Sequence, residues 1–401
     1  MSEMPRMPGT RRALIALLMA LTGAVACAAA PEAPISTTEV SVRTTAYVSL
    51  WMREHTWQNG PSARGGALAV AGRMVWVASG DGRFFRVDLA RGVVQADALP
   101  AIDLGSRALA GSRRYKSFEV PPRVHDILLD GSDVYVCFNQ YAASTDSIHF
   151  NIARLAPDGR TWTTLYRSVG LDAPMYTMGN GGRLALQPGT RRLFFTVGDQ
   201  SLDRHRDSPS ALAAQKPGLP WGKVSYLDLQ DGRVHPYSLG HRNPQGLTFL
   251  DDGRLVASEH GPQGGDEINI IREGGNYGWP YRSYGTEYGS YLEYRSSLPP
   301  PPAGVTFVEP VYAFVPSVAP TQVVQMKGFH ARWEGDLLLG TLKAQTLFRL
   351  KLDGDRVVYA EPIPLERRLR DLRQMGDTLV VLTDTGSLLT LRRNPKPLDR
   401  P

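Results

Sequence analysis

Between Leu239 and Pro280 the chain places two complementary kinds of group close together. A His-Arg-Asn-Pro-Gln run carries Arg242, Asn243 and Gln245, and one strand later Gly261-Pro262 leads into Asp266 and Glu267. Arg242 is permanently charged, and its planar guanidinium can grip a carboxylate through two parallel bonds. The two amides add uncharged donors, and Pro244 stiffens the turn that presents them. The Gly-Pro turn offers carbonyl oxygens and the acidic pair offers carboxylates, an all-oxygen set of the kind hard cations such as Ca²⁺ take. A Gly-Gly-Asn-Tyr-Gly-Trp-Pro turn closes the stretch at residues 274–280. Without further context the cluster also reads as a packed structural turn, and the acidic pair as a solvated loop.

These residues must be held by strands. One pattern recurs six times: an apolar strand, a turn, then a second strand with alternating apolar positions. The copies are residues 73–89, 132–138 with 150–155, 191–200 with 223–229, 253–261 with 266–271, 335–342 with 347–352, and 377–393. No segment keeps a helical period, and 40 Gly with 30 Pro in 401 residues supply the turns. Repeated strand-turn units of this spacing predict an all-β, six-bladed propeller. The strand near residues 40–51 is expected to complete the last blade; a two-sheet sandwich is the rival. Residues 281–302, with five tyrosines and four closing prolines, read as a long surface loop.

The bulk numbers exclude several classes. A formal charge of +6 with scattered arginines contains no basic run of the kind nucleic-acid binding needs. The N-terminus reads as a targeting segment: Arg6, Arg11 and Arg12 precede an apolar stretch, residues 13–26, too short to span a bilayer comfortably. Small residues then surround Cys27, which resembles a bacterial lipobox. We expect a signal peptide over 1–27, a tether over 28–38 and the propeller over 39–395. The protein is therefore expected to be exported, either as a lipoprotein anchored through Cys27 or as a periplasmic protein released by nearby cleavage. The second cysteine, Cys137, lies in an apolar run and reads as a buried thiol; two cysteines make no disulfide framework.

The Leu239–Pro280 stretch is similar to the soluble PQQ-dependent aldose sugar dehydrogenases, the glucose/sorbosone dehydrogenase family. Further matching pieces follow in the family's order: GGRLAL at 181–186, TVGDQ at 196–200, RSYGTEY at 282–288, PVYAFVPSVAPT at 310–321, LLLGTLKAQTLFRLKL at 337–352 and RLRDL at 368–372. The resemblance covers a little over half the chain, residues 176–395. It implies a six-bladed propeller of the soluble quinoprotein glucose dehydrogenase type, with PQQ and Ca²⁺ as cofactors and a small sugar as substrate. It implies that Arg242, Asn243, Gln245, Tyr288, Lys343, Arg368 and Arg370 face PQQ, with Ser317 and Thr321 as hydroxyl candidates. The carbonyls of Gly261 and Pro262, together with Glu267 and Tyr277, resemble the family's calcium sites.

One expected residue is missing. The family's catalytic histidine precedes the Gly-Arg-Leu of the third unit, and here Gly179 stands at that place. A Gly-Gln-Gly segment that contacts PQQ in the family has no clear counterpart in residues 120–123. His125 is one substitute base, and Tyr176 or Asp172 are others; a lone histidine at a strand start also reads as structural. The expected function is oxidation of an aldose or related alcohol, with an unidentified electron acceptor. The alternative is a catalytically inactive propeller that binds a glycan, PQQ or a protein partner.

Overall fold

The structure is a computed structural model that describes residues 31–394, apart from 42–44, 46–47, 63, 116–121, 172–178, 205–209 and 295–297. Six antiparallel sheets form the blades. Blade one is Ala67–Ala71, Met74–Ala78, Phe84–Asp88 and Val93–Ala96. Blade two is Val124–Asp130, Asp133–Ala142, Ser147–Leu155 and Trp162–Arg167. Blade three is Gly181–Leu186, Arg192–Val197, Lys223–Asp228 and Val234–Leu239. Blade four is Pro244–Phe249, Leu255–Glu259, Asp266–Ile271 and Tyr312–Phe314. Blade five is Pro320–Gln325, Leu337–Thr341, Thr346–Asp353 and Arg356–Pro364. Blade six is Leu369–Met375, Thr378–Thr383 and Leu388–Arg393, completed by Leu50–Thr56 and then Ser36–Ser41 from the N-terminal part of the chain. The six repeat units of the sequence are the second and third strands of the six blades.

The N-terminal residues close the ring. Leu50–Thr56 pairs with Leu388–Arg393, from Arg393 opposite Leu50 to Leu388 opposite His55. Residues 31–38 are therefore not the flexible tether expected: Glu32–Pro34 pairs with Val93–Ala96 on the outer edge of blade one, and Ser36–Ser41 pairs with Leu50–Thr56. Two outer strand edges with unpaired backbone groups recruit this segment. His55 pins the junction, with one ring nitrogen 3.0 Å from Thr37 Oγ1 and the other 2.9 Å from Thr390 Oγ1.

The apolar core lies between blades. Phe150 of blade two stacks on Phe195 of blade three at 5.9 Å, and Phe314 of blade four meets Phe348 of blade five at 5.2 Å. Each such ring, once buried, contributes roughly 1.5–3 kcal/mol. Cys137 is fully buried in blade two, as its apolar run implied, with its Sγ 3.4 Å from the Gly182 carbonyl. Among the described residues no helix is long and apolar enough to cross a membrane.

The first strand of each blade faces the propeller axis, and its open backbone edge needs partners. Side chains from neighbouring blades supply them. Asp126 accepts from the Leu184 amide and Asp371 from the Leu68 amide. Thr196 donates to the Pro244 carbonyl, Ser258 to the Thr321 carbonyl, and Thr321 to the Leu369 carbonyl. On the axis Arg183 is fully buried; it donates to the carbonyls of Gln245 and Arg370 and lies 3.6 Å from Asp126 and 3.4 Å from Asp371. Arg373 bonds both carboxylates, at 2.6 Å to Asp371 and 3.1 Å to Asp126.

Two outcomes follow. Removing Arg183, as in Arg183→Met, leaves two buried carboxylates sharing Arg373, and should cost about 3–5 kcal/mol in urea unfolding. Burial, then Arg53, lowers the His55 pKa to about 4, although Glu54 opposes this. The unfolded chain takes up a proton below about pH 6.5 that the native state refuses down to about pH 4, so stability falls as pH drops through that window. From pH 7 to pH 5 the contribution is about 2 kcal/mol, and His55→Gln should remove that part of the slope.

Candidate functional site

The main cavity, about 450 Å³, opens where the innermost strands begin and the second-to-third-strand turns end. The strands are shaped to serve it. Register breaks at His125 in blade two, Gly182-Arg183 in blade three, Gln245 in blade four, Thr321-Gln322 in blade five and Arg370 in blade six. A bulge re-aims the side chain it carries, and His125, Arg183, Gln245 and Arg370 all line the cavity. Gly182 is required beside His125: its φ is +91°, and a Cβ there would lie 2.4 Å from the His125 Cβ.

The cavity gathers most of the residues singled out in the sequence: Arg242, Asn243, Gln245, Gly261, Pro262, Tyr288, Ser317, Lys343, Arg368, Arg370, His125 and Gly179 all line it. Asn243 braces the site, its Oδ1 accepting from the Gly181 amide and from Gln245 Nε2. Arg242 lies with its guanidinium 5.1 Å from the Trp279 ring and donates to the His260 carbonyl at 3.1 Å. Burial opposes its charge, but Tyr288 and Asp199 more than compensate and raise its pKa. Arg368 and Arg370 converge on one carboxylate, Asp384, at 3.0 and 2.6 Å. Burial pushes Asp384 up, and the two arginines reverse this and hold it below the usual carboxylate range.

Several candidates stand differently from expectation. Thr321 does not line the cavity; it is buried and its hydroxyl donates to Leu369. Ser317 does line it, but its hydroxyl donates to Asp266 at 2.6 Å. Asp266 is itself consumed, accepting also from the amides of Gly261, Val318 and Ala319. Glu267 and Tyr277 line a separate small cavity of about 10 Å³, next to Glu259 and sharing Arg242, His260 and Gly261 with the main one. The Tyr277 phenol is not free as a ligand: it donates to Ile270 and accepts from the Arg272 amide. Burial, then Glu259, raises Glu267 to about 8. Among the described residues no group of three His, Cys, Asp or Glu is poised around one point for a metal, so any cation here would rest on backbone carbonyls. Within residues 281–302, Tyr281 and Tyr294 are buried, whereas Tyr284, Tyr288 and Tyr291 are exposed.

His260 flanks the site in the sequence without an assigned role, and it lines the cavity. Other groups were missed: Arg64, Arg123, Arg183 and Asp384 also line it. Arg123 is the most informative: its Nε is buried without a hydrogen-bond partner, and burial, then Arg370, lowers its pKa to about 9. Two signals were available in the sequence: its position two residues before His125, and its place at the end of residues 120–123, which stand where the family has its Gly-Gln-Gly segment. His125 Nε2 is likewise buried without a hydrogen-bond partner among the described residues. Burial, then Arg123, Arg183 and Arg370, holds the His125 pKa well below its usual value, so the ring is neutral. The lining carries seven cationic side chains against Asp266 and Asp384. Tyr176 and Asp172 lie outside the described residues.

Residues 124–390 match the glucose/sorbosone dehydrogenase family, about two thirds of the chain. The chain belongs to that family. It is 30% identical over 302 residues to quinoprotein glucose dehydrogenase B of Acinetobacter calcoaceticus, covering 54% of this chain and 63% of that one. It is 31% identical over 258 residues to the aldose sugar dehydrogenase YliI of Escherichia coli K12, covering 60% and 67%. The chain thus spans less than two thirds of the Acinetobacter enzyme's length. A crystal structure of a glucose dehydrogenase superposes with TM-score 0.68 at 23% identity, covering 85% of this chain and 99% of that one. The PQQ-bound aldose sugar dehydrogenase of Streptomyces coelicolor gives 0.60 at 23% identity, covering 91% and 100%. At these identities the superpositions bear on the propeller alone.

Gly179 is buried in the cavity wall with φ +101°, and a Cβ there would lie 2.9 Å from Asp199 Oδ1. A side chain at this position meets backbone strain as well as a clash. Gly179→Ala and Gly179→His should each lose about 1–2 kcal/mol, read as a Tm lowered by a few degrees.

Proposed function

We propose that the protein is a PQQ-dependent, calcium-assisted dehydrogenase that oxidises an aldose sugar or a related alcohol in the cell envelope. The observation that supports this most is the unbalanced positive charge of the cavity. Among the described residues the buried Nε of Arg123 has no hydrogen-bond partner, and Asp384 is the one carboxylate paired with Arg368 and Arg370. A cavity built this way favours a ligand with several carboxylates, and PQQ has three.

The residues fit that group. Lys343, exposed at the rim without an ion pair among the described residues, is the point charge for one carboxylate, and Arg368 and Arg370 serve another. When bound, PQQ supplies a quinone that accepts hydride from the sugar's anomeric carbon. Arg242, half-buried beside the Tyr288 hydroxyl and charged, would stabilise negative charge developing at a quinone oxygen. The carbonyls of Gly261 and Pro262 would hold Ca²⁺ beside it, and Glu267, raised to about 8, would add a carboxylate only after the cation displaces its proton. His125, neutral and with Nε2 unpartnered, would take the hydroxyl proton in place of the absent histidine at 179. Its depressed pKa makes it a weak base, which predicts slow turnover with no acid limb near pH 6.5. We further propose export through residues 1–27, with lipid on Cys27.

Gly179 favours a second reading, a propeller that binds its ligand without turnover. One experiment separates the two: the protein with Ca²⁺ and PQQ, a panel of aldoses, and the absorbance of the bound quinone. Turnover requires bleaching by a sugar. Lys343→Ala should weaken PQQ binding about tenfold. His125→Gln should keep PQQ bound while slowing bleaching by about 10²–10⁴-fold. A quinone that binds but never bleaches supports the second reading, and absence of binding overturns the cofactor assignment.

A further inference from the structure

Away from the cofactor cavity, a groove of about 730 Å³ lies along the seam between blades six and one. Its floor is the face of blade six that carries Trp51, Arg53 and His55 on one strand and Thr390 and Arg392 on the next. Its walls are the turns at Gly72-Arg73 and Leu89-Ala90 of blade one and Gly376-Asp377 of blade six. These turns follow the first and third strands, so this end of the blades is opposite the one that forms the cofactor cavity.

The groove is cationic. Arg53, Arg73, Arg392 and Arg393 line it against a single acidic side chain, Asp377. Arg73 and Arg393 are exposed and form no ion pair among the described residues, and Arg392 Nε is bound only to the Thr378 hydroxyl. Arg53 is paired with Glu39, but both side chains are at least half exposed, so water screens that pair heavily. His55, pinned between two threonines with its pKa lowered, adds no charge near neutrality. Beside the arginines Trp51 leaves 43% of its surface in solvent. An exposed indole among arginines has the amphipathic chemistry of a bilayer interface, where the ring sits at headgroup level and the cations meet lipid phosphates.

The course of the chain selects that partner. Glu32–Pro34 runs along the outer edge of blade one, from Glu32 opposite Gln95 to Pro34 opposite Val93, and Ser36–Ser41 follows along that of blade six, so the N-terminal segment crosses this seam at Ile35. Cys27 precedes Glu32 by five residues, a reach of at most about 17 Å. A lipobox cysteine carries a diacylglyceryl group, whose two acyl chains suffice to hold the chain on a bilayer, so a polybasic patch nearby sets which face of the propeller meets the headgroups. We propose that this groove docks on anionic phospholipid headgroups, holding the propeller on the membrane by the blade six–blade one seam and leaving the cofactor cavity facing away. The orientation rests on the exported, lipid-anchored reading above; the groove's affinity for anionic lipid does not.

The test uses the full chain with Cys27→Ser, which removes the lipid, and vesicles of phosphatidylcholine alone or with phosphatidylglycerol, read by co-sedimentation. The neutral vesicles register any binding through the apolar residues 13–26, which is independent of lipid charge. We expect stronger binding to the anionic vesicles, lost in high salt. Removing Arg73 and Arg393 together, as in the pair Arg73→Gln and Arg393→Gln, should weaken this extra binding roughly 25-fold, about fivefold per arginine. Both side chains are exposed, and an unchanged Tm verifies the fold of the double variant. Equal binding to both vesicle types, or an unchanged preference in the double variant, overturns the proposal. So does capture of soluble polyglutamate without vesicle binding, which would assign the groove to an acidic protein. Loss of lipid attachment in the unsubstituted protein would remove the anchored orientation while leaving the vesicle preference intact.

Discussion

The buried ion cluster on the axis is the constraint on which the rest of the propeller depends. Arg183, Arg373, Asp126 and Asp371 come from blades two, three and six, and the carboxylates also accept amides of Leu184 and Leu68. Burial raises Asp126 to about 6, while Arg373 and Arg183 pull it back. Charges removed from water in this way persist only if every partner is in place. The cluster therefore specifies how adjacent blades meet more than it adds net stability, and through Arg183 it forms the floor of the main cavity.

Above that floor the bulges turn a regular sheet into a site. A strictly alternating strand would aim every second side chain between blades. The broken register instead brings His125, Gln245 and Arg370 to one opening. Much of the polar lining is committed to holding the wall: Asn243 braces Gly181 and Gln245, and Asp266 organises the turn from Ser317 to Ala319. The cations are left in excess, so the wall is preorganised and carries a net attraction for anions.

The place where a base is expected shows how tightly local geometry limits substitution. Gly179 has a positive φ and faces Asp199 at close range, so its lack of a side chain is matched by the backbone around it. His125, one blade away, is accommodated only because Gly182 lacks a Cβ. The two glycines and His125 form one arrangement, in which neutrality is imposed on the imidazole by burial and three neighbouring arginines.

The sequence by itself determined the blade count, since hairpin turns and apolar alternation are local properties and repeat in all six units. It also singled out Arg242, Asn243, Gln245, Lys343, Arg368 and Arg370, whose neighbours in the chain are distinctive, and the structure brings all six to one cavity. It misjudged residues 31–38, whose strand character comes only from the open edges of blades one and six. It could not separate Ser317, which lines the cavity, from Thr321, which bridges blades, because a one-sided bulge decides where each hydroxyl points. Arg123 and the axial cluster stayed hidden for a related reason: Arg123 meets Arg64 at the entry to blade one, the cluster draws on blades two, three and six, and only closure of the ring brings those groups together. Asp384 meets Arg368 and Arg370 within blade six, where the pairing of its first two strands sets the contact.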